Sequence, residues 1–315
     1  MLRFLALRIV GCAVTLVIST FVVFGSLYVA PGSPIGYLTG GRALSPATIA
    51  SIKAQYHLND PFLTRYWDWL TGALHGNLGE SIIFRQPVGP LVGARIETTA
   101  LLVAMAAIII LVVGIAAGAA AALRGGATDS GVLLVGSVGI AIPSFVAAIV
   151  LIALFAVDLG WFPVFGSGSG LPDRLWHLTL PAIALALSST AFVARVTRTT
   201  MREELAREHV ETARTRGIPE RVVVRRHVLR NALIPITTVG GLTVASLIAG
   251  SVVVEQAFGL DGIGQFLIQS VDAKDFAVVQ AIALILVVAF VIVNTLVDVT
   301  YRLIDTRVSL AGMAR

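Results

Sequence analysis

Lysine is almost missing from this chain: Lys53 and Lys274 stand beside twenty-one arginines. A phosphate-cradling loop of the form GxxxxGK[ST] needs lysine directly after glycine. Here Ile52 precedes Lys53 and Ala273 precedes Lys274, so neither lysine serves and the usual nucleotide-hydrolysing subunit is excluded. Cysteine is scarcer still. Cys12 is alone in an apolar run, which rules out intrachain disulfides, CxxC redox chemistry and thiolate metal sites. The five histidines (His57, His75, His177, His209 and His227) are scattered without metal-ligand spacing. The run 166–170, GSGSG, does not place serine at the centre of GxSxG, so it reads as loop. Charged residues make up only 13% against 57% apolar, outside the soluble range and inside the membrane class. The net charge of +5 comes in clusters, so nucleic acid is not expected as a partner.

What the chain has instead is long apolar runs. Six reach the roughly 20 residues a bilayer span requires: about 9–30, 98–123, 131–157, 178–196, 232–254 and 278–303. Arg3 and Arg8 before the first run favour a cytoplasmic N-terminus, and an even number of spans returns Arg302, Arg307 and Arg315 to the same side. The first run is too long for a signal-peptide core and is expected to stay in the membrane. Pro143, Pro181 and Pro235 lie inside runs and can bend them. Gly114 and Gly118 form a GxxxG, which lets helices approach closely. The division expected is a first span (1–30), an outside loop with short helices (31–97), a five-helix core (98–303) and a cytoplasmic tail (304–315). In the outside loop, Ser45-Pro46 and Asp60-Pro61 read as helix starts. Phe62, Tyr66, Trp69, Leu70 and Ala73 then form an apolar stripe, with Trp67 nearby. That helix is expected on the bilayer interface or against the spans.

The polar island inside the core is the most informative stretch. Between Arg195 and Arg230 there are ten arginines and five glutamates, far more than topology requires. A helix is expected from about Thr200 to Arg216 with Leu205, Val210 and Ala213 on one face, then a stop at Gly217 and a second helix opened by Pro219. Small residues at Ala213 and Gly217 would let this corner enter a groove on another protein. On spacing alone, a merely solvated loop weighs as much.

The segment HVETARTRGIPERVVVRRHVLRNALIP resembles the EAA-loop signature of ABC-type importer permeases of the dipeptide/oligopeptide branch. Glu211, Ala213 and Gly217 match its acidic, alanine and glycine positions, with Thr212 in place of the second alanine. Arg230, Asn231, Ala232, Leu233 and Pro235 match its later R-N-A-L-x-P block. Likeness extends over the whole chain, through LYVAPGSP, YHLNDPFLTRYWDWL, IAIPSFVAAIV, HLTLPAIAL and VVVEQAFGLDGIGQFL. Three positions depart from the pattern: Asp261 for an expected proline, Asn77 for aspartate and Glu80 for arginine.

The resemblance implies an all-α, polytopic membrane protein with six transmembrane helices and the ABC type I importer permease fold, in a bacterial cytoplasmic (inner) membrane. It further implies that the loop 197–231 docks in a cleft of an ATPase subunit. Glu211, Ala213, Arg214, Thr215, Arg216 and Gly217 would form the coupling contact, with Arg230, Asn231 and Pro235 as its support. The expected assembly has a second homologous permease, two cytoplasmic ABC ATPases and an extracytoplasmic substrate-binding protein. This chain would bind no cofactor, since ATP and Mg2+ sit on the ATPases. It is then a non-catalytic permease for di- or oligopeptides, its substrate path unassigned. The alternative is a self-contained secondary carrier or channel for a small solute. Its expected intramembrane acid would have to be Asp298, one turn after Asn294, which reads better as a structural hydrogen bond.

Overall fold

A computed structural model describes residues 2–29, 45–55 and 59–304, and among them there is no β-strand. The expected tail beyond Ile304 and the stretches 30–44 and 56–58 lie outside the described residues. The helices are α1 (Leu2–Val29), α2 (Pro46–Gln55), α3 (Phe62–Leu74), α4 (Val88–Arg124), α5 (Gly126–Ala141), α6 (Ser144–Asp158), α7 (Leu171–Leu205), α8 (Glu208–Thr215), α9 (Glu220–Phe258), α10 (Ile263–Asp272) and α11 (Phe276–Ile304). Four stretches are long and apolar enough to cross a membrane: α4, α7, α9 and Phe276–Val297 of α11. The pair α5 and α6 would make a fifth if counted as one broken span, and Val10–Ser26 of α1 is a shorter apolar helix. Each of the six apolar runs thus falls on a helix or a helix pair.

The third run is not the continuous helix expected over 131–157: α5 and α6 meet at 102°. Pro143 supplies no N–H, and its ring drives the preceding Ile142 out of the helical region, to φ −86° and ψ 116°. Pro181 and Pro235, by contrast, sit inside α7 and α9 without ending them. Three π-helical turns, Ile110–Gly114, Ile152–Asp158 and Val223–Leu229, interrupt the α pattern of α4, α6 and α9.

The chain divides into two compact units, Met1–Thr99 with Asp261–Val291, and Ala100–Leu260 with the chain from Ile292 on. In the first, α3 packs its aromatic stripe on α1. Tyr66 is 2% exposed, its ring set edge-on to Phe21 and Phe24, and its hydroxyl lies 3.1 Å from Thr20 Oγ1 and donates to the Val17 carbonyl at 3.2 Å. Leu63 and Trp67 face outward. Ser45 accepts the Thr48 N–H at 3.2 Å, the expected cap; α3 starts only after Pro61 and has no side-chain cap. A second cluster, Val88, Val92, Ile263, Phe266, Val278 and Ile282, joins the start of α4 to α10 and α11. Two of the three departures from that pattern are accommodated here. Asp261 accepts from Arg95 at 2.9 Å while that guanidinium lies 4.2 Å over the Phe266 ring, and Asn77 Oδ1 accepts the Gly79 N–H at 3.0 Å.

In the second unit, α7 is the central post, with Leu178, Leu180, Ala182, Ala184, Leu185 and Val193 buried against its neighbours. The GxxxG of α4 serves this contact. A Cβ at Gly118 would stand 2.4 Å from the Ala194 carbonyl oxygen, and one at Gly114 3.1 Å from that of Thr190. The two glycines therefore set the approach of α4 to α7 within the chain.

Candidate coupling site

The island folds as a corner beneath α7. The single helix expected from Thr200 to Arg216 is two: α7 runs on to Leu205, the chain breaks at Ala206 and Arg207, and α8 follows. The apolar face survives the break. Val210 and Ala213 are buried with Met201, Val223, Val228, Ala232 and Ile236, and Leu205 packs on them. Ala213 is 4% exposed. Its small side chain lets α8 lie close on its own chain.

α8 ends in a Schellman motif. The Gly217 N–H donates to the Arg214 carbonyl at 2.9 Å and the Ile218 N–H to the Ala213 carbonyl at 3.2 Å. This closure places Gly217 at φ +74°, where side-chain-bearing residues are strained. A Cβ there would meet nothing within 4 Å, so the glycine answers a backbone requirement and faces open space. Pro219 follows and opens α9 at Glu220. The second helix of the island is thus continuous with the fifth apolar run, Glu220–Phe258, through a π turn at Val223–Leu229.

Polar contacts hold the corner. Arg214 grips Glu220 as a fork, Nε to Oε2 at 3.1 Å and Nη2 to Oε1 at 2.6 Å. The hydrogen bonds to Glu220 raise the Arg214 pKa above its already high ordinary value. Exposed ion pairs add little stability, so the fork acts by fixing the bend. On the other side, the Asn231 amide donates to the His227 carbonyl at 3.0 Å and lies 3.4 Å from both Glu204 Oε2 and His209 Nε2. Asn231 therefore ties the end of α7 to α8 and α9. Pro235, inside α9, cannot donate to the Asn231 carbonyl four residues back. Arg230 is exposed.

Of the expected contact residues, Glu211, Arg214, Thr215, Arg216 and Gly217 are exposed and Ala213 is buried. Arg216 forms no ion pair among the described residues. It lines, with Glu208, His209, Thr212, Ala213, Ile218 and His227, a recess of about 390 Å³. The site thus offers a rigid, charged knuckle with a notch beside it. No side chain in it is arranged to do covalent chemistry.

Sequence reasoning missed two features. Glu204 and His209 complete the Asn231 clasp, but they lie far from Asn231 in the chain. Asp129, in the first turn of α5, accepts from Arg198 Nη2 at 2.7 Å and from Arg202 Nη2 at 2.9 Å, fastening α5 to the last turns of α7. A signal existed here: Asp129 is the one acidic residue between Glu97 and Asp158. The side chain of Asp298 lies outside the described residues.

An all-α protein with several apolar spans and a braced polar corner under its central helix is a polytopic membrane protein by architecture. Comparison with known proteins makes the assignment specific. Residues 110–310 match the binding-protein-dependent transport system inner membrane component model, and residues 1–88 match the N-terminal model of the same systems. A Brucella abortus (strain 2308) relative named as a peptide transport system permease protein is 37% identical over 305 residues, covering 96% of this chain and 97% of the relative. The glutathione transport system permease protein GsiC of Salmonella typhimurium (strain LT2) is 34% identical over 306 residues, covering 97% and 98%. Among solved structures, the MetNI methionine ABC transporter in an inward-facing conformation superposes with a TM-score of 0.56 at 18% identity, over 68% of this chain and 96% of that one, which supports the fold. The chain belongs to the binding-protein-dependent transport system inner membrane component family. It is a permease component of an ABC transporter and not an enzyme, and the family implies ATPase and substrate-binding partners.

Proposed function

We propose that this chain is one of two related permease subunits of an ATP-driven importer of di- or oligopeptides in a bacterial cytoplasmic membrane, with both termini inside. Two ATPases dock from the cytoplasm, one of them on the knuckle at 211–217, and carry the ATP and Mg2+. An extracytoplasmic binding protein delivers the solute. The peptide class rests on the names of the relatives. The docking assignment rests on one observation: a corner that is braced from within by the Arg214 to Glu220 fork and by Asn231, yet left uncovered on its outer face.

The knuckle leads directly into α9, so a displacement of α8 is passed to a span without a flexible linker. Closure of the ATPases would draw the corners of the two permeases together and shift the spans between two packings, a population shift driven by nucleotide binding. Gly217→Trp tests the assignment in the reconstituted complex. Uptake and solute-stimulated ATP hydrolysis are expected to fall more than tenfold while the variant still inserts in the membrane. Wild-type values for both would remove the corner from the coupling path.

A further inference from the structure

The knuckle transmits motion and touches no solute. Another feature lies among the spans of the second unit. Residues of α5, α7 and α9 line an open groove of about 460 Å³, whose wall carries four hydroxyls (Ser188, Ser189, Thr243 and Ser246) and no ionisable side chain. Three of these have their proton engaged. Thr243 donates to the Val239 carbonyl at 2.8 Å, Ser246 to the Thr243 carbonyl at 2.7 Å, and Ser188 to the Ile140 carbonyl at 3.4 Å. A hydroxyl has one proton and two lone pairs, so these three present acceptors to the groove. Ile140 belongs to the last turn of α5, whose final carbonyls have no partner within the helix and carry the negative end of its dipole. The groove is neutral and rich in acceptors.

A second observation bears on what fills it. α5 has 16 residues, about 24 Å of helix, which is shorter than a hydrocarbon core of about 30 Å. The break at Ile142 and Pro143 therefore falls within membrane depth, and Ala141 and Pro143 on either side of it are exposed. Non-helical backbone at that depth is stable only where protein buries it or a water-filled cavity meets it. This chain covers it only in part, with Ile142 packed on the core while Ala141 and Pro143 stay open, and the same end of α5 contributes Ile140 to the groove. Lipid tails offer no donors to such a wall.

We propose that this groove is this subunit's wall of the solute path, and that it favours solutes presenting N–H donors, such as peptide amides and ammonium groups. The donor preference rests on the peptide reading above; the path assignment does not. Cys12→Ala gives a cysteine-free background in which single cysteines are placed at Ser189 and Thr243, and as outward-facing controls at Val138 and Val253. In the complex purified with its ATPases, a charged methanethiosulfonate is expected to modify the two groove cysteines at least tenfold faster than the controls. Equally slow modification would overturn the path, whether lipid or a tightly packed second permease covers the groove. In vesicles, Thr243→Val with Ser246→Ala is expected to lower the uptake ratio of radiolabelled dialanine to its N-methylated form at least threefold. An unchanged ratio would overturn the donor preference. Failure of the wild-type complex to move either peptide would overturn the peptide reading and that preference together, while the labelling result still decides the path.

Discussion

Two helices of the second unit stop by the same backbone device in opposite surroundings. α8 closes at Gly217 (φ +74°) and α9 at Gly259 (φ +58°). In each, the glycine N–H donates three residues back and the following N–H five residues back, from Ile218 to Ala213 in one and from Leu260 to Glu255 in the other. Around Gly259 the chain is shut in: Phe258 and Leu260 are 1% exposed, Glu255 is buried, and a Cβ would lie 3.5 Å from Phe165 Cδ1. Around Gly217 the neighbours Arg214, Thr215 and Arg216 are exposed and a Cβ would touch nothing. One corner is finished by its own chain. The other is braced and left open, as a surface for another protein must be.

The largest effect expected from this contrast comes from adding bulk to both corners. Gly259→Trp sets a ring against Phe165, beside the buried Phe258 and Leu260, so Phe165 must give way in addition to the cost of about 1–2 kcal/mol for a left-handed side-chain-bearing residue. That variant is expected to yield less monodisperse protein in detergent than Gly217→Trp. Gly217→Trp carries only the conformational cost of about 1–2 kcal/mol, and should still be extracted as folded protein with a modestly lowered melting temperature while transport is lost. Equal loss of folded protein in the two variants would break the comparison. Next in size is the conformational cost by itself. Asparagine tolerates the left-handed region, so Gly217→Asn should cost a few tenths of a kcal/mol, whereas Gly217→Val should cost about 1–2 kcal/mol. Thermal midpoints of the purified permease read that difference.

The two corners also differ in how far the sequence showed them. A glycine followed two residues on by proline, after an Arg- and Glu-rich helical stretch, is a local signal, and the stop at Gly217 was legible from it. The apolar runs are local in the same sense, which is why each lies on a helix or, for the third, a helix pair. The face shared by Leu205, Val210 and Ala213 was legible from spacing, but what covers it was not, because that depends on Val223 and Val228 returning from α9. Pro143 was equally opaque. It reads like Pro181 and Pro235, yet it ends a helix where they do not, because neighbours and π turns can re-satisfy the backbone at some sites and not at others. The Asn231 clasp and the cluster of Asp129 with Arg198 and Arg202 join residues that only the closed chain brings together.

Charge gives a smaller and more selective effect. Arg214 is engaged by Glu220, whereas Arg216 faces solvent beside the notch. Arg216→Glu should leave the corner's shape intact and weaken copurification with the ATPases several-fold at low ionic strength, the difference fading at about 1 M salt, where screening acts within about 3 Å. Arg214→Glu should instead set two carboxylates against each other and loosen the bend at any salt. If the two variants show the same salt dependence, the distinction between a bracing arginine and a presenting one fails.

The smallest effect sharpens the comparison most, because it touches the brace without touching the surface. Asn231→Ala removes the amide that joins Glu204, His209 and the His227 carbonyl. One such hydrogen bond contributes about 0.5–1.5 kcal/mol, and Asn231 is exposed, so the lower end applies and the melting temperature should scarcely move. The loss is local: amide exchange in residues 208–216 should speed up several-fold, while residues 255–260, closed by their own packed neighbours, should exchange as before. Transport per ATP hydrolysed should then fall in proportion to the loosening of α8, since a corner that bends under load passes less of its displacement to α9. Unchanged exchange in α8 would mean that the fork at Arg214 alone keeps the knuckle rigid.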